Sequence, residues 1–118
     1  MMKMTKPTMI QLSEFDITQK IIESLSNVCT RAVLFSIKDQ SKEATQISNE
    51  LKISLSTVYK TLSTLEGLAL AEVDKYVISA EGKKIKIYRS RIAKVEITLD
   101  NLEPTLNLYS NTSNPKSS

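Results

Sequence analysis

The sequence predicts a single α+β domain in which about four helices precede a β-hairpin and a C-terminal strand pair. Three observations carry that expectation. Apolar residues recur at helical spacing up to about residue 66. Two short helices in that half are separated by only Lys52 and Ile53. After Gly67 the apolar period changes to alternation, the period of a strand with one covered face.

The first helix is expected over residues 16–25, with Asp16 as its cap and Ile17, Ile21, Ile22 and Leu25 on one face. Ser26 and Asn27 break the chain and offer a new cap. Residues 28–37 are apolar almost all round, which suits the central helix of a small domain. Residues 38–43 (KDQSKE) are wholly polar and read as a loop. Thr45 can cap a third helix with Ile47 and Leu51 at i and i+4. Ser54 can cap a fourth, with the stripe Leu55, Val58, Leu62 and Leu65. Two helices joined by so short a turn must cross steeply, as in a helix-turn-helix.

Beyond Gly67, residues 70–73 and 76–78 are short β-favouring pieces, with Asp74-Lys75 as the expected hairpin tip and a turn at 79–82. Residues 85, 87, 93, 95, 97 and 99 alternate as a long strand, interrupted at Arg89 and Arg91, where a bulge or bend is expected. A helical reading of 82–92, through Ile85, Tyr88 and Ile92, fits the same residues. Residues 101–104 turn the chain, and Leu106 and Leu108 continue as a partner strand. This order is that of a winged helix-turn-helix spanning residues 13–109, with a flexible arm over 1–12 and a disordered tail over 110–118.

Composition narrows the function. The 118 residues suit one domain, and 41% hydrophobic with 25% charged is ordinary for a globular chain. No apolar run approaches the roughly 18 residues of a membrane span. The first fifteen residues lack the apolar core of a secretory signal. One cysteine, Cys29, cannot close an internal disulfide, which fits a reducing cytoplasm. Histidine is absent, and with it the commonest general base and metal ligand. The acids are scattered, and Gly67 and Gly82 lie too far apart to cradle a phosphate. Neither an enzyme, a cofactor nor a metal site is expected.

Charge is unevenly distributed. The net +3 resides in residues 83–94 (KKIKIYRSRIAK), which hold six basic residues and no acid; the flanking regions are slightly acidic. Such a band suits a localised polyanion contact, and its bland alternative is a solvated strand face.

Residues 45–70 (TQISNELKISLSTVYKTLSTLEGLAL) are the centre of the functional reading. A helix that reads DNA keeps one stripe in the core and offers short polar side chains to base edges and phosphates. The free face here presents Ser56, Thr57, Lys60, Ser63 and Thr64, with Tyr59 at the flank. Lys83, Lys84 and Lys86 follow the wing and are placed to touch the DNA backbone. Arg89 and Arg91 have either that role or one against a partner subunit.

The phrase ISNELKISLSTVYKTLSTLE resembles the reading unit of ArsR-type winged-helix regulators, especially small archaeal members. The upstream SLSN and TRAVL are similar to that family's first core helices, and KYVISAEGKKIKIYRSRI to its wing and following strand. The resemblance covers about residues 20–100. It implies a transcription regulator that binds double-stranded DNA as a homodimer, with a reading helix in each major groove. By position it makes Ser56, Thr57, Tyr59 and Lys60 the reading-helix contacts and Lys75 the wing-tip contact. Lys52 and Ala69 stand where the family often has glycine, so Lys52 is expected in a left-handed conformation. The family's metal-sensing cysteine and histidine clusters are missing.

Cys29 reads as core packing; Tyr76, Tyr88 and Tyr109 could stack bases but read as cross-strand packing. The dimer surfaces expected are the first helix and the terminal hairpin, whose Val95, Ile97, Leu99, Leu106 and Leu108 need cover. The rival reading is a winged-helix protein-interaction module inside a larger transcription assembly, since only one lysine lies on the reading face.

Overall fold

A computed structural model describes residues 9–112, with side chains from Ile17 onward. Four helices, α1 (Met9–Leu25), α2 (Val28–Ser36), α3 (Ala44–Leu51) and α4 (Leu55–Gly67), precede four strands. These are β1 (Ala71–Ile78), β2 (Lys84–Ser90), β3 (Ile92–Thr98) and β4 (Thr105–Ser110). The strands form two separate antiparallel pairs, β1 with β2 and β3 with β4. This is an α+β fold with the layout of a winged helix-turn-helix.

Helix α1 starts seven residues before the expected position, so Asp16 lies inside it and not at its start. Residues 9–16 contain neither glycine nor proline, and nothing in them stops a helix from extending back. Residues 9–12 of the expected arm are therefore helical; residues 1–8 lie outside the described residues. Ile21 and Leu25 are buried, whereas Ile17 faces solvent. Asn27 then caps α2, its Oδ1 accepting the Thr30 N–H at 3.0 Å. Val33 and Leu34 of α2 and Ile37 after it are fully buried, but Val28 and Phe35 are exposed, so α2 is not enclosed on every side.

The 38–43 loop runs along β2. Lys42 N–H donates to the Tyr88 carbonyl at 3.0 Å, and Tyr88 N–H to the Lys42 carbonyl at 2.8 Å. Helix α3 starts two residues earlier than a cap at Thr45 would set it. Glu43 occupies the cap position and gives no side-chain cap bond, because Ala44 and Ile47 turn into the core. Lys52 ends α3 in the left-handed region (φ 59°), and Ser48 Oγ donates to the Ile53 carbonyl across the turn at 2.6 Å.

Ser54 caps α4 as expected, accepting the Thr57 N–H at 3.3 Å. The buried stripe is Val58, Thr61, Leu62 and Leu65; Leu55 is 38% exposed and belongs to the surface. Ala69 is also left-handed (φ 62°) and turns the chain into β1, its N–H donating to the Glu66 carbonyl at 3.0 Å.

The wing differs from the expectation. β1 runs straight through Asp74 and Lys75, where the register shifts by a bulge, and the hairpin turns at 79–82. Asp74 is held sideways, its carboxylate accepting from Ser41 Oγ at 2.9 Å. The turn chemistry sits further on. Gly82 takes φ 85°, its N–H donates to the Ser79 carbonyl at 2.9 Å, and Ser79 Oγ accepts the Lys83 N–H at 3.0 Å.

The expected long strand over 85–99 is two strands that part at Arg91. Ser90, fully buried, donates its N–H to the Ile37 carbonyl at 2.9 Å, and Arg91 donates to the Leu70 carbonyl at 2.9 Å. The chain thus leaves the β1–β2 pair and opens a second hairpin, and the helical reading of 82–92 fails. At the base of that hairpin Ile92 belongs to the core, and Val95 and Leu106 pack against it half-buried. The expected disorder from residue 110 is not found there. Ser110 is in β4, and buried Asn111 donates through Nδ2 to the Lys38 and Ser90 carbonyls at 2.8 and 2.9 Å. Residues 113–118 lie outside the described residues.

Three outcomes follow from this packing. Ala69→Gly raises unfolding free energy in urea by up to about 1 kcal/mol, because left-handed strain of roughly 1–2 kcal/mol exceeds glycine's entropy cost of roughly 0.5–1. Ala69→Val lowers it. Asn111→Ala removes the donor from two carbonyls and costs about 1–3 kcal/mol in the same measurement. The Tyr109 hydroxyl, donating at 2.9 Å, holds the Glu96 carboxyl below the ordinary range, with Lys94 adding to the effect. Tyr109→Phe therefore moves the Glu96 midpoint upward in an NMR titration. The stabilisation it removes is present above the ordinary carboxyl pKa and fades as pH falls through the depressed one.

Candidate nucleic-acid interface

The buried stripe of α4 determines what the helix can offer outward. Ser56, Thr57, Tyr59, Lys60, Ser63 and Thr64 are all exposed. At the N-terminal end the hydroxyls form a small cluster. Ser54 Oγ donates to Thr57 Oγ1 at 2.8 Å, and Ser56 Oγ lies 3.4 Å from Ser54 Oγ. Thr57 still has its own O–H to donate. The first turn adds free N–H groups and a partial positive charge, which favour a phosphate.

The wing's two faces follow from its register. Ile78 pairs with Lys84 and Tyr76 with Lys86, so these four side chains share one face. Val77 pairs with Ile85 and Lys75 with Ile87, which puts them on the other. The Lys84 ammonium lies 4.8 Å from the Tyr76 ring centroid, on the first face. That side opens on a cleft of about 310 Å³ whose lining includes Glu43, Thr45, Tyr59, Lys83, Lys84, Lys86 and Tyr88. Burial raises the Tyr88 phenol above its ordinary pKa, reinforced by the Glu66 carboxylate and the neighbouring Tyr59 and Tyr76.

The fold therefore brings Tyr59, Lys83, Lys84 and Lys86 together. Ser56, Thr57, Lys60 and Ser63 lie along the open surface of α4. Lys75 is not at the wing tip: it sits within β1, opposite Ile87, on the face turned from Lys84 and Lys86. The reason is the bulge at Asp74, which lets β1 continue where a turn was expected. The sequence offers Thr45 only as a helix cap, and Tyr76 and Tyr88 as cross-strand packing in preference to base stacking. For Tyr88 the signal was the alternation Lys84, Lys86, Tyr88 on one strand face; nothing local in the sequence marked Thr45.

The basic band divides in two. Arg89 donates to Glu72 at 3.0 Å and to the Asn111 carbonyl at 3.3 Å, and Arg91 lies 3.9 Å from Glu72. Lys94 pairs with Glu96 at 3.2 Å and stands 5.0 Å from the Tyr109 ring centroid. These three brace the crossover and the second hairpin. By contrast, Lys60, Lys83, Lys84 and Lys86 form no ion pair among the described residues. Their charge is open to an external anion.

Among the described residues no three His, Cys, Asp or Glu side chains gather as a metal site. No helix among them is long and apolar enough to cross a membrane. No protein-family model matches the chain, and no curated protein matches it.

Proposed function

We propose that this chain is a DNA-binding transcription regulator of the cytoplasm, related to the ArsR-type winged-helix proteins. Helix α4 enters the major groove, and the wing around residues 79–86 lies on the phosphate backbone. The observation that carries the reading is the set of unpaired ammonium groups, Lys83, Lys84 and Lys86, in a cleft shared with Tyr59 of α4. Beside it lies a helix face of hydroxyls and Lys60 with no acid before Glu66. Phosphate neutralisation supplies affinity, and the hydroxyl face supplies contacts to base edges.

The regulator acts as a homodimer through α1 and the β3–β4 hairpin. That hairpin pairs Val95 with Leu108 and Ile97 with Leu106 on one face. Ile97 and Leu108 are about two-fifths exposed, and Leu99 and Leu102 are more so. A two-stranded hairpin is marginal alone in water, so a covering surface stabilises it. Sedimentation equilibrium at tens of micromolar gives twice the chain mass; a monomer mass removes the dimer from the account.

The direct test is fluorescence anisotropy with random-sequence duplex DNA over a range of salt. Affinity falls steeply with salt, about 0.9 logarithmic units per decade for each neutralised phosphate. Lys60→Ala weakens binding, and Lys84→Ala with Lys86→Ala flattens the salt dependence by roughly one unit for each lysine that touches a phosphate. Absence of binding at low salt, with helix content intact, overturns the proposal. It then favours a protein-interaction module, a reading supported by exposed Leu55 and Tyr59 beside Lys60, the one cation of α4.

A further inference from the structure

The cleft between α3, α4 and the wing is large enough for a small ligand and is lined by three lysines and two tyrosines. Its volume, about 310 Å³, is at the lower end of ligand pockets, roughly 300–1,000 Å³. Lys83, Lys84 and Lys86 bring three like charges into a segment of four residues. They face one carboxylate, Glu43, with which none of them forms an ion pair. Such an arrangement repels itself until an anion occupies it. The cleft is not simply basic. Tyr59, 53% exposed, presents a ring on one side, and the buried Tyr88 forms part of the wall. Thr45 adds a hydroxyl, and Glu43 an acceptor that a bare phosphate would avoid but a ligand with hydroxyl or amino donors would use.

We propose that this cleft binds a free 5′-mononucleotide. The phosphate is held by the lysines, the base stacks on Tyr59, and Glu43 accepts from the ribose hydroxyls or a ring amino group. Stacking on aromatic rings beside a cationic groove is how proteins hold individual bases. Because Lys84, Lys86 and Tyr59 also belong to the proposed DNA face, an occupied cleft covers part of that face and the nucleotide opposes DNA binding. The site itself stands whether or not α4 reads DNA, since its lining residues are brought together by the fold alone.

The test is isothermal titration calorimetry of the full chain with AMP and GMP, beside adenosine and inorganic phosphate. At least one nucleotide binds with sub-millimolar affinity, and adenosine and phosphate each bind at least about tenfold more weakly, a difference of about 1.4 kcal/mol. Tyr59→Ala lowers nucleotide affinity by about tenfold, in line with the loss of one stacked base. Lys84→Ala with Lys86→Ala lowers it by at least as much, with circular dichroism verifying the fold. Lys94→Ala, on the second hairpin, leaves it unchanged. Phosphate binding as well as either nucleotide overturns the proposal in favour of a simple anion site. Binding of oligonucleotides but of neither AMP nor GMP at millimolar concentration overturns it in favour of a polymer-backbone contact. Duplex anisotropy is measured separately, so failure of the DNA reading and failure of the nucleotide site are distinguished.

Discussion

Helix α4 buries Val58, Leu62 and Leu65 almost completely in a core shared with Val33, Leu34 and Ile37 from the α2 region and Ile47 of α3. The rest of the architecture is arranged around that packing. It fixes the rotation of α4 about its own axis, so Ser56, Thr57, Lys60 and Ser63 cannot turn inward without leaving a void. Truncating a fully buried leucine costs roughly 2–5 kcal/mol, a large share of the stability of a domain this size. The steep α3–α4 turn meets the same demand. Lys52 accepts a left-handed backbone so that Ile47 and Val58 can both reach the core.

A second constraint acts where the chain leaves the wing. Ser90 is sealed beneath the junction, and Arg89, Arg91 and Asn111 tie β2, β3 and the end of β4 to Glu72, Leu70 and Lys38. Two arginines that look like nucleic-acid ligands in composition are thereby committed to structure. The lysines before them remain unpaired. The six basic residues of 83–94 thus fall into two groups, the second of them around the point at which the chain passes from one sheet to the other.

Much of this was legible in the sequence because it depends on local signals. Asn27 and Ser54 act as caps, the period of α4 marks its core face, and the interruption at Arg89 and Arg91 marks the bend. What was not legible depends on partners distant in the chain. Asp74 looks like a turn residue, but it sits in a bulge of β1 with its carboxylate against Ser41, and the wing tip lies at 79–82, away from Lys75. Likewise Asn111 looked like part of a polar tail, but its amide reaches carbonyls at Lys38 and Ser90. The start of α1 was misplaced because Asp16 resembles a cap and the sequence before it lacks a strong apolar stripe. For the candidate site, the reading-helix residues could be listed from periodicity, whereas the cleft that joins Tyr59 to the wing lysines required the register of β1 against β2.

The proposed function makes the open face of α4 and the Lys83–Lys86 side of the wing one nucleic-acid surface. The most direct measurement is an amide ¹H–¹⁵N NMR titration of the chain with duplex DNA. Shifts concentrated in residues 54–64 and 79–86 are expected, with β3, β4 and the Arg89–Glu72 pair little affected. Shifts confined to the second hairpin, or to α1 and α2, with α4 unchanged, contradict the proposal.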